Sequence, residues 1–305
     1  MSPPKILVTG ASGFIGNRLC GRLLEEKAVV HAVCRRHPER VPSAAEVHVL
    51  DLGDATAVDR LVASVRPEVV FHLASHVAGS RDADLLLPTF RANLASTVHL
   101  LAALTAHDGC RLFVQAGSLE EPTEAEATPS SPYAAAKWAA SAYLRMARAL
   151  YELPFARARI FMVYGPGQWD LRKLVPYTVL SLLEGGEPTF SSGDRPVDWV
   201  FVDDVVEGLA RIGRHRDLDG ATVDLGSGDL ATVREVIEIL FAVLAPDRRA
   251  RFGARDDRPA EQVRQAASQE TERLLGWRPA TSLRAGLEVT VDWYRKELES
   301  GRLRR

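Results

Sequence analysis

The sequence predicts a doubly wound α/β fold, a parallel sheet with helices on both faces, followed by a smaller C-terminal α/β domain. Two observations carry this reading. Short apolar, β-branched runs alternate with segments of helical period as far as Phe161. These runs are nearly continuous in apolar residues, as strands buried on both faces require. The chain of 305 residues, 46% of them hydrophobic, has ample material for a core.

Each element follows from its local pattern. Ile6-Leu7-Val8 reads as the first strand, and Phe14 to Glu26 as a helix with Ile15, Leu19, Leu23 and Leu24 on one face. Strands are expected at Val29 to Val33, Glu46 to Leu50, Val69 to Leu73, Arg111 to Ala116 and Ala156 to Phe161, with a helix over Ala55 to Val65. Right-handed crossovers then wind the sheet in both directions. Beyond Gly165-Pro166-Gly167 the pattern changes. Helices are expected at Leu171 to Leu183, Asp203 to Ile212, Thr232 to Leu244 and Leu283 to Leu298, with short strands at Trp199 to Val202 and Ala221 to Leu225. The expected division is residues 1–165 and 166–305, with later elements returning to the first sheet.

Composition narrows the function. Lys and Arg number 38 against 40 Asp and Glu, a net charge of −2, so no excess favours nucleic acid or a membrane surface. Cys20, Cys34 and Cys110 are spaced for neither disulfides nor zinc. The N-terminal apolar stretch is too short for a signal-peptide core or a membrane span, and a soluble cytoplasmic protein is expected. His72 and His76, at the end of the fourth strand, are read as packing or lining the cofactor cleft, and His31 and His48 as scattered without ligand-spaced acids, so no metal is expected; Asp203-Asp204 is read as a helix cap.

Thr9-Gly10-Ala11-Ser12-Gly13-Phe14-Ile15-Gly16 links the first strand to the first helix. Gly10 permits the tight turn, Gly13 the approach of a pyrophosphate, and Gly16 close helix packing. The free N–H groups at the helix start then face phosphates. The second strand ends in Arg35 and Arg36, without the carboxylate that usually accepts from the ribose hydroxyls. Two guanidinium groups attract a 2′-phosphate, so NADP is favoured and NAD is the alternative. Asp51 and Leu52 are placed to reach the adenine edge, and Leu73-Ala74-Ser75 to line the cofactor.

Tyr133 and Lys137 stand one helical turn apart behind Pro132, with Ser131 or Ser130 as the cap. A neighbouring ammonium favours the phenolate, which then exchanges a proton with a substrate hydroxyl or carbonyl as hydride moves. Ser118, ending the fifth strand, is placed to hold the same substrate oxygen.

In this order the motifs resemble the extended short-chain dehydrogenase/reductases of the NAD-dependent epimerase/dehydratase group, which act on nucleotide sugars. The resemblance runs through TGASGFIG (9–16), FHLAS (71–75), YAAAK (133–137), VYGPGQ (163–168), FVDDV (201–205) and LLGWRP (274–279). It implies a Rossmann-like first domain, a substrate-binding second domain and a homodimer built on the Tyr133 helix and the helix near Asn93. It implies Ser118, Tyr133 and Lys137 as a catalytic triad and Glu120 as a further acid. It also implies Arg258 and Glu261 as contacts to a nucleotide sugar's phosphate and ribose. Two departures stand out: Met162 replaces a usual Asn, and Val197 a usual Arg, for which Arg195 is the substitute. Either the diphosphate is held differently or these two residues pack in the core. The paired arginines favour a nucleotide-diphospho-4-keto-6-deoxysugar reductase. The alternatives are a 4-epimerase or 4,6-dehydratase with recycled cofactor, a reductase of a non-nucleotide ketone, and a non-catalytic NADP-binding sensor or scaffold.

Overall fold

The computed structural model describes residues 3–77, 80–122, 124, 127–215, 217–257 and 262–303. The chain opens with β1 (Lys5–Thr9), α1 (Phe14–Glu25), β2 (Val29–Cys34), β3 (Glu46–Val49), α2 (Ala55–Val65) and β4 (Val69–His72). Then α3 (Leu86–Thr89) passes through a π-helical stretch, Phe90–Ala95, into α4 (Ser96–Ala106). After these come β5 (Leu112–Ser118), α5 (Pro132–Tyr151) and β6 (Phe155–Ile160). The later chain supplies β7 (Met162–Tyr164), α6 (Leu174–Leu183), β8 (Pro196–Phe201), α7 (Val202–Arg214), β9 (Thr222–Leu225) and β10 (Leu230–Thr232). It ends with α8 (Val233–Leu244), α9 (Ser268–Leu275) and α10 (Leu283–Glu299). None of the described helices is long and apolar enough to cross a membrane.

Two compact units result: Met1–Ile160 with Val206–Val223, and Phe161–Val205 with Asp224–Arg305. The seven-stranded sheet runs β3-β2-β1-β4-β5-β6-β9, and every pairing from β3 to β6 is parallel. Strand order reverses between β1 and β4, so their carboxyl ends open a crevice there. One face of this sheet buries Leu7, Val33, Val70 and Phe113 against Val62 of α2, Leu100 of α4 and Leu144 of α5. Each such side chain contributes about 1.5–3 kcal/mol by leaving water.

Caps fix the helix starts. Asp54 accepts from the Ala57 N–H at 3.0 Å and opens α2. Ser131 accepts from the Ala134 N–H at 3.1 Å with Pro132 at the first helical position, which sets where α5, and therefore Tyr133, begins.

The second unit holds a mixed three-stranded sheet, β10-β8-β7, antiparallel and then parallel. Tyr164 sits edge-on to Trp199 and Phe201, over a core that includes Val236, Leu240 and Tyr294. Val197 is buried in that core and Met162 packs against it, so both departures from the family pattern serve packing. Asp203 and Asp204 lie within the first turn of α7. Asp204 does not cap the helix: its carboxylate accepts from the Ala280 and Thr281 N–H groups at 2.9 and 3.1 Å. Helix α6 starts three residues later than its pattern suggests, because Asp170 accepts from the Arg172 N–H and guanidinium and holds a turn.

Candidate active site

The glycine turn is built by exclusion. Gly10 has φ +68°, and a Cβ there would lie 2.8 Å from the Ala74 nitrogen, so only glycine lets the ends of β1 and β4 meet. A Cβ on Gly16 would lie 2.2 Å from the Gly10 oxygen, which presses α1 against the turn. Gly13 is the N-cap of α1, with no side-chain cap and no acid in the first turn. The helix start therefore offers bare N–H groups and positive field, including those of Phe14 and Ile15. Ser12 donates its hydroxyl to the Arg36 carbonyl at 2.8 Å and ties the turn to the end of β2. This cradle fits a dinucleotide pyrophosphate.

At the end of β2, Arg35 and Arg36 are exposed. Arg35 stands 3.7 Å from the Asp51 carboxylate, so the two expected cofactor contacts form an ion pair. Asp51 also accepts from the Gly53 N–H at 2.8 Å, and Leu52 is buried beside it. Beyond β4, the Ala74 N–H donates to Thr9 Oγ1 at 3.2 Å. Ser75 donates to Asn93 Oδ1 at 3.1 Å, which also takes the His76 N–H at 2.6 Å. The π-helical stretch thus places Asn93 to pin Ser75 and His76. His72 is buried between Thr9 Oγ1 (2.8 Å) and Ser96 Oγ (3.3 Å). Burial and Lys137 push it down to about 3, so it is neutral.

Tyr133 and Lys137 are both buried. Burial raises the Tyr133 phenol above its ordinary value, while the Ser118 hydroxyl and, less strongly, Ser75 stabilise its ionised form. The nearby charges of Glu120 and Glu121 push it further up. Lys137 donates to the Ala116 carbonyl at 2.8 Å, and burial lowers it to about 8, with Glu121 opposing. Ser118, Ser75, Tyr133 and Lys137 are thereby brought together.

Glu120 is half-buried, and its N–H donates to Ser118 Oγ at 3.2 Å. Its neighbour Glu121, which motif reading passed over, is the buried acid. It accepts from the Ser118 N–H at 2.7 Å and pairs with Arg157 on β6. The signal was an acid three residues after Ser118, the spacing at which a carboxylate folds back onto a main-chain N–H.

Arg195 donates to the Gln262 carbonyl at 3.1 Å within the second unit, and Arg258 and Glu261 lie outside the described residues. His31 and His48 are not scattered: strand register brings them to 3.1 Å, with Glu46 beside both, and donor atoms of the three lie within 4.8 Å of one another.

The profile of the NAD dependent epimerase/dehydratase family matches residues 6–226. A UDP-glucose 4-epimerase of Mycolicibacterium smegmatis is 33% identical over 317 residues, covering 96% of this chain and 99% of that enzyme. A dTDP-glucose 4,6-dehydratase of Neisseria meningitidis is 28% identical over 331 residues, covering 95% and 93%. Among solved structures, UDP-glucose 4-epimerase of Thermotoga maritima with UDP-glucose matches at TM-score 0.87 and 26% identity, over 96% of this chain and 99% of that one. The Thermus thermophilus UDP-glucose 4-epimerase complex with NAD matches at 0.85 and 27%, over 95% and 99%. The fold agrees with these matches: the chain is an enzyme of the extended short-chain dehydrogenase/reductase type and belongs to the NAD dependent epimerase/dehydratase family.

Proposed function

We propose that this enzyme interconverts nucleotide-diphospho-hexoses at C4 as a 4-epimerase. The observation that carries the reading is the state of its two carboxylates. Glu121 is committed to Arg157 and the Ser118 N–H, and Glu120 lies near Tyr133, so the phenol has one close acid beside it and not a separate acid and base pair built for elimination. Epimerisation at C4 needs one proton-transfer group, Tyr133, whereas 4,6-elimination needs an additional acid and base. The named relatives, epimerases and dehydratases, support this family of outcomes over the 4-keto-6-deoxysugar reductase. A 4,6-dehydratase is the second reading, favoured by the Glu120 contact to Ser118, with Glu120 as its acid.

Gly10, Ser12, Gly13, Phe14, Ile15 and Gly16 would hold the pyrophosphate, Asp51 and Leu52 the adenine side, and Leu73, Ala74 and Ser75 the bridge between nucleotides. The bound dinucleotide supplies hydride exchange with C4. Tyr133 Oη, in the ionised form that Ser118, Ser75 and the Lys137 charge support, takes the proton of the C4 hydroxyl as hydride leaves C4, and returns it after the sugar turns over. Ser118 Oγ holds the same oxygen, and Lys137 places positive charge beneath the phenol. Burial of Tyr133 and Lys137 keeps water from that proton. Arg36, with Arg35 shared by Asp51, favours NADP over NAD. Arg195, Arg258 and Glu261 supply contacts to the diphosphate and ribose. A homodimer is part of the same proposal, supported by the exposed apolar side chains of Leu86, Leu87 and Phe90 and of Tyr143 and Leu150 on α5.

Incubation with UDP- and dTDP-hexoses tests the reaction. Interconversion of C4 epimers without net change in NAD(P)H supports the epimerase. A 4-keto-6-deoxy product supports the dehydratase, and stoichiometric NADPH loss on a 4-keto sugar restores the reductase and overturns both.

A further inference from the structure

We propose that Glu121 is a positioning residue of the catalytic centre: anchored by Arg157, its carboxylate holds the Ser118 main chain and balances the buried Lys137 ammonium. The inference rests on Tyr133 as the proton-transfer group and adds to it a charge that no motif of the chain marks.

Three observations converge. Glu121 is only 2% exposed, yet both of its oxygens are partnered, one by the Arg157 guanidinium and the other by the neutral Ser118 N–H at 2.7 Å. The backbone is shaped for it: the Glu121 N–H returns to the Ser118 carbonyl at 3.2 Å, and a Cβ on Gly117 would lie 2.7 Å from Glu121 Oε1. Finally, Arg157 lies in β6 opposite Gln115 of β5, two residues along from Gly117, so the pair bridges the strands beneath Ser118. A buried ion pair is costly to assemble and gains little stability over apolar packing, so one placed here points to a use in the site.

The charges facing this carboxylate come from several elements. Arg157 of β6 and Lys137 of α5 act on it directly, Arg159 of β6 and Arg145 of α5 act on Arg157, Glu120 acts with Glu121 on Tyr133, and His72 of β4 is neutral beside Lys137. Removing the Glu121 charge therefore lowers the proton affinity of Tyr133 and Lys137 together.

The test is ultraviolet titration of tyrosinate, with Tyr133→Phe as the blank, on the folded full chain. In Glu121→Gln the Tyr133 midpoint moves to lower pH, and the pH profile of kcat moves the same way. In the double variant Glu121→Gln/Arg157→Met, which leaves no orphaned charge, the midpoint returns toward native. There kcat still falls about tenfold at unchanged KM, because Ser118 has lost its anchor. A midpoint unmoved in Glu121→Gln overturns the inference, and if that variant fails to fold, a double variant with native kcat does so. An active Tyr133→Phe enzyme would instead refute the proton-transfer reading on which it rests.

Discussion

Lys137 gives its ammonium to the Ala116 carbonyl at 2.8 Å and stands 5.9 Å from the centroid of the Tyr133 ring. The cation is tied to β5, the strand that ends in Ser118. The hydroxyls of Ser118 and Ser75 join that ammonium in stabilising the ionised phenol.

This anchoring has a pH signature. Burial brings Lys137 from its ordinary 10.5 down to about 8. Between those values the unfolded chain binds more protons than the native one, so stability rises with pH across the window. Lys137→Met removes that rise. Chemical denaturation at several pH values, native minus variant, measures it, and parallel slopes would contradict it.

Tyr133→Phe lowers kcat by about 10²–10⁴ through loss of the proton carrier. Ser118→Ala lowers it by about 10²–10³ through loss of a preorganised hydrogen bond, with KM near native. Steady-state kinetics on the substrate found for the enzyme checks both, and a Ser118→Ala enzyme changed only in KM would reassign that hydroxyl to ground-state binding.

Gly16→Ala drives a methyl into the Gly10 carbonyl and costs about 1–3 kcal/mol. Dinucleotide affinity falls with stability, since the same contact sets the start of α1. Urea unfolding and cofactor fluorescence read the two effects; native behaviour in both would mean that the turn relaxes freely.

Arg36→Ala weakens NADP about tenfold to a hundredfold, the worth of a charge-assisted bond, and leaves NAD nearly untouched. Asp51→Asn frees Arg35 and moves the preference the other way. Competitive titration with both dinucleotides measures the ratio, and an unchanged ratio in Arg36→Ala ends the NADP preference.

Much of the fold is legible in the sequence because period and caps agree. The limits of α2, Ala55–Val65, follow from Asp54 and the apolar spacing alone. The glycine turn is legible because Gly10 and Gly16 answer steric demands that no other residue meets. What is missed depends on contacts between segments. The π-helical stretch at Phe90–Ala95 has an ordinary helical period and takes its shape as Asn93 meets Ser75 and His76. The meeting of His31 with His48 and Glu46 comes from parallel register. Glu121 escapes notice because its partner Arg157 lies thirty-six residues on.

The missing side chain at Gly117 reaches beyond this one enzyme. Any methyl there would occupy the space of the Glu121 carboxylate, so the two positions are not free to vary separately. An aligned set of relatives should show them switching as a unit with position 157: glycine, acid and arginine together, or a larger residue at 117 with an apolar residue at 121 and no cation at 157. Such covariation would make the trio a marker for sorting the family into branches by how each braces its reacting centre.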